Sequence, residues 1–305
     1  VDAGRPGLIV MKARTVLHFA LSWWLLVTGL AWADSAGEAL TARYQALRPQ
    51  LETNVYGAPI HIESTEDGEL RRGEVYGVLT YSFPRLSEAL RNPREWCEIA
   101  LLHLNIKTCT HEKRDGADAL TFYSGRKFYE PPEKAYVLRY AFRVDAARTD
   151  YLAVTLTAPS GPLGTSDYLI AFEAIPLGQA TFVHFRYAYR PSLTSSFATG
   201  GYLATLGSGK VGFTVTGRDR QGRSEHIGGV RGIVERNAMR YYLAIQAYFE
   251  TQDKSSAQRF ERWFDLTERY PVQLHELEKP EYLQYKLQER RQQDEHQRAL
   301  DAAAR

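Results

Sequence analysis

The sequence predicts an α+β protein in which an antiparallel meander is covered by helices that follow it in the chain. Between residues 135 and 189 successive stretches alternate apolar and polar side chains and are joined by short turns, as half-buried antiparallel strands are. From Arg231 to Glu250 the period changes, placing Ile233, Val234, Ala238, Tyr241, Tyr242, Ile245 and Tyr248 along one helical stripe. A sheet with one apolar face needs a cover, and a helix with one apolar stripe supplies it.

Taken in order, Ala36 to Leu51 reads as an amphipathic helix ending near Pro49. From Gly57 the period is two: Ile60 and Ile62 alternate with His61 and Glu63, Asp67-Gly68 makes a turn, and Glu69 to Phe83 resumes as a strand. Pro84 suits a helix start, and Leu86, Leu90, Trp96, Ile99 and Ala100 suit two short helices split at Asn92-Pro93. Strands follow over Ile106 to His111, Leu120 to Phe128, Ala135 to Val144, Tyr151 to Thr157, Tyr168 to Ile175 and Thr181 to Tyr189. After Pro191 comes an apolar, glycine-interrupted stretch from Phe197 to Val215, then a polar glycine-rich break from Gly217 to Gly229. The long helix follows, then a second carrying Phe260, Trp263 and Phe264 and stopped by Pro271. Glu281 to Arg305, charged and poor in large apolar groups, reads as a solvated helix or frayed tail.

Charge narrows the function classes. The 305 residues hold 38 Lys and Arg against 36 Asp and Glu, so the basic excess of a nucleic-acid binder is missing. Residues 11 to 33 have the plan of a secretory signal peptide: Met11, Lys12 and Arg14, an apolar run from Val16 to Leu30, then Ala31-Trp32-Ala33 as a cleavage site. The run is short for a membrane span, and the ten residues before Met11 read as an upstream extension. Cleavage after Ala33 removes Arg5, Lys12 and Arg14 from the 38 and Asp2 from the 36, leaving 35 of each. The exported chain is then neutral, keeps all 19 tyrosines, and has no stable span. Any selectivity must come from local pockets.

Cys97 and Cys109 are the two cysteines. An oxidising compartment favours a disulfide; separate thiols, or a metal site with His103 and His111, are the alternatives, although this spacing matches no zinc pattern. Gly207-Ser-Gly-Lys-Val-Gly212 matches G-x-G-x-x-G, but it sits late in the chain. Phe213-Thr-Val-Thr-Gly217 follows it with Asp219 only seven residues past Gly212, and Val211 stands where the P-loop form needs Ser or Thr. Close helix packing is the better reading of those glycines. His275-Glu276 fails the zinc-protease pattern because Lys279 stands where the second histidine belongs. No catalytic residue, metal or cofactor is assigned.

Face alternation gives the candidate binding residues. Tyr136, Tyr140 and Phe142 share one face of their strand, as do Tyr168 and Phe172, and Phe185, Tyr187 and Tyr189. Each buried phenol needs a hydrogen-bond partner, so tyrosine walls fit a cavity that is apolar in body and polar at points. A solid core with phenols reaching backbone carbonyls is the alternative. Arg231, Glu235, Arg236, Asn237 and Arg240 cluster beside the glycine-rich break. Arg231 and Glu235 are spaced to pair on one helix face. Arg236 and Arg240 are spaced to repel unless something anionic lies between them. The cluster reads either as a charged outer face or as an arginine-lined mouth for a head group; Ser124, Arg126 and Lys127 form a similar candidate.

The order strand, two short helices, antiparallel strands and long C-terminal helix, over Gly57 to Glu250, resembles the START-like (helix-grip, polyketide cyclase and lipid-transfer) superfamily. Ser124-Gly-Arg-Lys-Phe128 and Glu235-Arg-Asn-Ala-Met239 are similar to segments of an uncharacterised group of bacterial envelope proteins. The resemblance implies a curved sheet wrapped around a long C-terminal helix, here interrupted by a glycine-rich segment, with a cavity for an apolar ligand. It divides the chain into an extension plus signal peptide over 1–33, a helical segment over 34–56, a ligand-binding domain over 57–250 and a C-terminal helical extension over 251–305. The implied function is a periplasmic binding or carrier protein for a hydrophobic or amphipathic, lipid-like molecule, with the 217–229 segment as a mobile gate. An enzyme of the cyclase or hydrolase kind, or an envelope protein-interaction module with a solid core, are the alternatives.

Overall fold

The computed structural model describes residues 35–67, 70–204 and 209–304; the leader and its cleavage site lie outside them. The first helix, α1, covers 35–52. A hairpin follows, β1 (Ile60–Glu66) and β2 (Arg71–Leu79), then the short helices α2 (Phe83–Leu90) and α3 (Pro93–Ala100). Ser82 precedes α2 and Asn92 caps α3, its side chain accepting from the Arg94 amide, with a proline opening each helix. Six strands make the meander: β3 (Ile106–Arg114), β4 (Ala117–Ser124), β5 (Tyr136–Ala147), β6 (Leu152–Ser160), β7 (Ser166–Leu177) and β8 (Ala180–Arg190). β2 pairs with β8, giving one antiparallel sheet ordered β1-β2-β8-β7-β6-β5-β4-β3.

The helices follow as the meander requires: α4 (Leu193–Ala204), α5 (Gly229–Glu250), α6 (Ser256–Thr267), α7 (Pro271–Leu274) and α8 (Lys279–Ala303). The glycine-rich break separates α4 from α5 and folds as a small antiparallel hairpin, β9 (Val215–Arg218) and β10 (Ser224–His226). α5 itself runs unbroken for 22 residues across the inner face of the sheet. Glycines set that approach. A Cβ on Gly73 would lie 2.5 Å from the Val234 carbonyl oxygen, and one on Gly77 would strike the Tyr242 hydroxyl. Phe172, Phe185, Val154, Leu156, Ala244 and Ile245 fill the space between sheet and helix.

The outer face is covered too, which the one-sided alternation did not foresee. Leu40, Leu47 and Leu51 of α1 pack on Tyr76, Ile175 and Phe182. Beneath this helix His184 is held between two carboxylates, with Nδ1 3.1 Å from Glu173 and Nε2 3.1 Å from Glu74. Arg72 and Arg186 also pair with Glu74, the Tyr76 and Tyr151 hydroxyls donate to Glu74 and Glu173, and Arg43 lies over the Tyr76 ring. Both ring nitrogens must donate, so the imidazole is held as the cation. Burial alone would lower the His184 pKa; Glu173 and Glu74 outweigh it and raise it. Burial of Glu74 acts upward, but His184 and Arg186 bring it down to about 2.

The pH consequence follows from those directions. A base with a raised folded pKa contributes stability that is complete below its unfolded value and lost as pH climbs through the folded one. A carboxylate with a lowered pKa contributes stability above its unfolded value and loses it as pH falls toward the folded one. Thermal stability is therefore expected to be highest between about pH 5 and 6.5 and to decline on the alkaline side. A His184→Gln variant should lose most of that alkaline decline; melting curves from pH 5 to 9 that keep the same slope in the variant would refute it.

The C-terminal residues are not a solvated tail. Phe260, Trp263 and Tyr282 belong to the main buried cluster, and α8 runs along β3, the sheet's outer strand. Four helical residues rise about 6.0 Å and two strand residues about 6.8 Å, so side chains four apart on α8 meet alternate residues of β3. Glu289 pairs with Lys107, Gln293 accepts from the Cys109 amide, and Gln297 both accepts from the His111 amide and donates to its carbonyl. The helix thus closes a strand edge that would otherwise be open to pairing. Cys97 of α3 and Cys109 of β3 form a disulfide, joining the short helices to that strand, with a contribution of about 3 kcal/mol for so short a loop.

Candidate functional site

Where β7 begins and β8 ends, near α4, the sheet and α5 diverge into an open cleft of about 370 Å³. Tyr168, Tyr187 and Tyr189 form its sheet wall; Ile233, Arg236, Asn237 and Arg240 form its helix wall. Side chains four apart on α5 stack on one face, which brings Arg236 and Arg240 to the cleft together. Leu163, Ser195, Ala198 and Thr199 border it from the 162–164 turn and α4. The Tyr168 and Tyr189 rings stack with centroids 5.4 Å apart. The Tyr168 hydroxyl lies 2.9 Å from Thr165 Oγ1, and burial pushes its pKa up to about 12.

Glu276, from the turn between α7 and α8, enters this cationic wall. Its Oε1 lies 2.8 Å from Arg240 Nη2, and its Oε2 lies 2.7 Å from Lys127 Nζ and 3.3 Å from Lys210 Nζ. Burial works to raise its pKa; Arg240, Lys127 and Lys210 outweigh that and lower it. An anion for Arg240 is therefore supplied from 36 residues away, while Arg236 donates to the Val211 carbonyl. Behind the wall His103 stacks on Tyr241 at 4.5 Å. Burial lowers its pKa well below the usual value, and Arg240, Lys286, Lys107 and Lys127 push the same way, so His103 is neutral.

The candidate residues divide into groups. Tyr168, Tyr187, Tyr189 and Arg236 line the cleft. Tyr140, Phe142, Phe172 and Phe185 are buried in the packed core: Tyr140 lies against Phe122, Phe172 against Trp96, and Phe185 against Tyr241. Tyr136 is half exposed, because it opens β5 opposite Ser124, at the strand's uncovered end. It borders a separate groove with Arg126 and Phe128.

Arg231 and Glu235 do not form the pair their spacing suggests; both reach Ser64 of β1 instead. The fully buried Glu235 carboxylate also accepts from the Phe213 and Thr214 amides and the Thr214 hydroxyl, so it anchors the strand entering the β9–β10 hairpin. Of the glycine-rich motif, residues 207 and 208 lie outside the described ones. Gly212 sits close against Gly232, where a Cβ would come within 2.9 Å of its Cα, and Lys210 turns to Glu276.

The chain has an α+β fold in which an eight-stranded antiparallel sheet packs on the long helix α5, and the two open into a cationic, phenol-walled cleft. Among the described residues no group of His, Cys, Asp and Glu is arranged to hold a metal ion, and no helix is long and apolar enough to cross a membrane. No family model matches the chain, and no curated protein sequence matches it. Solved structures similar to it include an aromatase/cyclase from Streptomyces sp. R1128, at 12% identity over 40% of this chain and 70% of that one, with a TM-score of 0.30. A START superfamily protein from Mycobacterium smegmatis is 15% identical over 46% of this chain and 93% of its own, at 0.29. Human STARD10 is 12% identical over 53% and 74%, at 0.33. Likenesses this weak say nothing about ligand or activity.

Proposed function

We propose that this protein binds a small hydrophobic or amphipathic molecule in the cleft and carries it without changing it chemically. The supporting observation is the pairing of a phenolic wall on β7 and β8 with a polar wall on α5 across about 370 Å³, within the size of small-ligand pockets. The ligand's apolar body lies against Tyr168, Tyr187 and Tyr189, each buried methylene contributing about 0.8 kcal/mol, and Asn237 and Arg236 orient its polar end. The movable cover is α4 rather than the β9–β10 hairpin, which Glu235 fastens at its base. α4 has no charged residue, contains Gly200-Gly201, and leaves Leu193 and Phe197 each 82% exposed beside the cleft.

The reading extends to location. Residues 11 to 33 act as a cleaved leader and deliver the chain to the periplasm, where the Cys97–Cys109 disulfide is stable. Native mass spectrometry of gently purified protein is expected to show a bound small molecule, or uptake of one from a lipid extract. Repeated ligand-free preparations that take up nothing would overturn the proposal.

A further inference from the structure

The inner end of the cleft collects hydrogen-bond donors that meet no protein acceptor. Tyr140 of β5 lies one residue before the Ala141–Thr157 pair, which sets it beside Ala158 of β6, and Ala158 pairs with Tyr168 of β7. The two phenols are thus two strands apart, about 9.6 Å, with only a methyl group between them. Tyr187 of β8 lies 6.4 Å from the Tyr168 ring and 6.0 Å from that of Tyr241 on α5. Among the described residues the Tyr168 hydroxyl meets Thr165, but those of Tyr140, Tyr187 and Tyr241 meet no protein group. Burial and the neighbouring phenols push all three pKa values up, with no hydrogen bond contributing.

His103 repeats the pattern. It is 3% exposed and stacks on Tyr241. Its Nδ1 accepts from the amide of Asn105, a residue that borders the cleft. The neutral ring therefore carries its proton on Nε2, and that atom is buried without a partner.

A buried donor without an acceptor destabilises the fold and calls for an occupant. The imidazole Nε2–H can only donate, and each phenol brings a proton to give, so the missing partner is an acceptor. Phe122 against Tyr140 and Phe185 against Tyr241 keep the surroundings apolar, which favours a neutral one. Resting on the binding function proposed above, we infer that the ligand bears a carbonyl oxygen that enters past Tyr187 and accepts from the hydroxyls of Tyr140, Tyr187 and Tyr241. This oxygen is distinct from the polar end that Asn237 and Arg236 orient. A carbonyl suits the place because its two lone pairs accept separate donors. An alcohol would bring one more donor to a place already rich in them.

Three probes share one bicyclic body and differ in one substituent: α-tetralone, α-tetralol and tetralin, which has no oxygen. Titration calorimetry is expected to give α-tetralone roughly tenfold tighter binding than tetralin, and tighter binding than α-tetralol. The infrared carbonyl stretch of bound α-tetralone should lie below its frequency in alkane solvent. Tyr140→Phe and Tyr241→Phe should each cut the tetralone-to-tetralin ratio several-fold and return the stretch toward the alkane value. Neither should lower the melting temperature, because the oxygen removed bonds to nothing in the folded chain.

α-Tetralone binding no tighter than tetralin or α-tetralol, a carbonyl stretch at the alkane value, or Phe variants that keep the full ratio would each overturn the inference and leave the binding function standing. The phenols would then serve ordered water alone. A lower melting temperature in both variants would overturn it too, since the hydroxyls would already have partners. If none of the three probes binds, the binding function fails and the inference with it.

Discussion

Glu289→Ala is expected to cost about 3–5 kcal/mol, enough to remove a large share of the stability of a protein this size. The carboxylate is fully buried, with Oε1 2.9 Å from Lys107 Nζ and Oε2 2.7 Å from Lys286 Nζ. Each ammonium also donates to two backbone carbonyls, Lys107 to Leu104 and Phe128, and Lys286 to His103 and Ile106. Without Glu289 two buried charges keep those carbonyls but lose their counterion. Burial already brings the Lys286 pKa down to about 8 even with Glu289 in place, and the variant should lower it further. The unfolded chain then binds more protons than the folded one, so the variant's stability should rise from pH 7 to 10. Urea unfolding at several pH values checks both parts. A loss below 1 kcal/mol with no alkaline recovery would mean that α8 is not fastened to β3 in this way.

The second large effect is expected at Glu235. Its carboxylate accepts four hydrogen bonds, from the Ser64 and Thr214 hydroxyls and from the amides of Phe213 and Thr214. Glu235→Ala leaves two backbone donors and two hydroxyls to find other partners in a buried setting. At about 1–3 kcal/mol per orphaned buried group, offset in part by water entering, the cost is about 3 kcal/mol or more. Because the partners span β1, α5 and the strand leading to β9, the damage should be local before it is global. Hydrogen exchange is expected to show the Phe213 and Thr214 amides losing protection while the β6–β7 ladder keeps it. Unchanged protection at those two amides would contradict the assignment of Glu235 as an anchor.

These residues also show where local pattern stops being informative. The meander was legible because period-two alternation is written into neighbouring residues: Val183, Phe185, Tyr187 and Tyr189 face inward as the pattern requires. The α5 stripe was legible for the same reason at period 3.6. The role of α8 was not, because what it covers is a strand edge rather than an apolar face. An edge asks for hydrogen-bonding groups, so the buried stripe is Tyr282, Lys286, Glu289 and Gln293, which reads as solvent-facing by hydropathy. Only the spacing of three and four betrays it.

The candidate site divides in the same way. Tyr168, Tyr187 and Tyr189 came from alternation and do meet at the cleft. Arg236 and Arg240 came from helical spacing, but the acid that meets Arg240 is Glu276, far along the chain and marked by nothing around it. Arg231 and Glu235 had the spacing of a helix pair worth a few tenths of a kcal/mol; the buried hydroxyl of Ser64 and two amides compete for them and win. Tyr136 shares the alternation of its strand, yet alternation carries no information about where the covering helices end.

The central claim, that the cleft between β7–β8 and α5 takes up the apolar body of a small molecule, is tested most directly by NMR of protein labelled at the tyrosine rings. On titration with decanol, the ring resonances of Tyr168, Tyr187 and Tyr189 are expected to shift together and saturate, while those of Tyr44 on α1 and Tyr282 on α8 stay in place. Saturable shifts confined to the exposed Tyr136, or no saturable shift at any of the three cleft tyrosines, would contradict the claim.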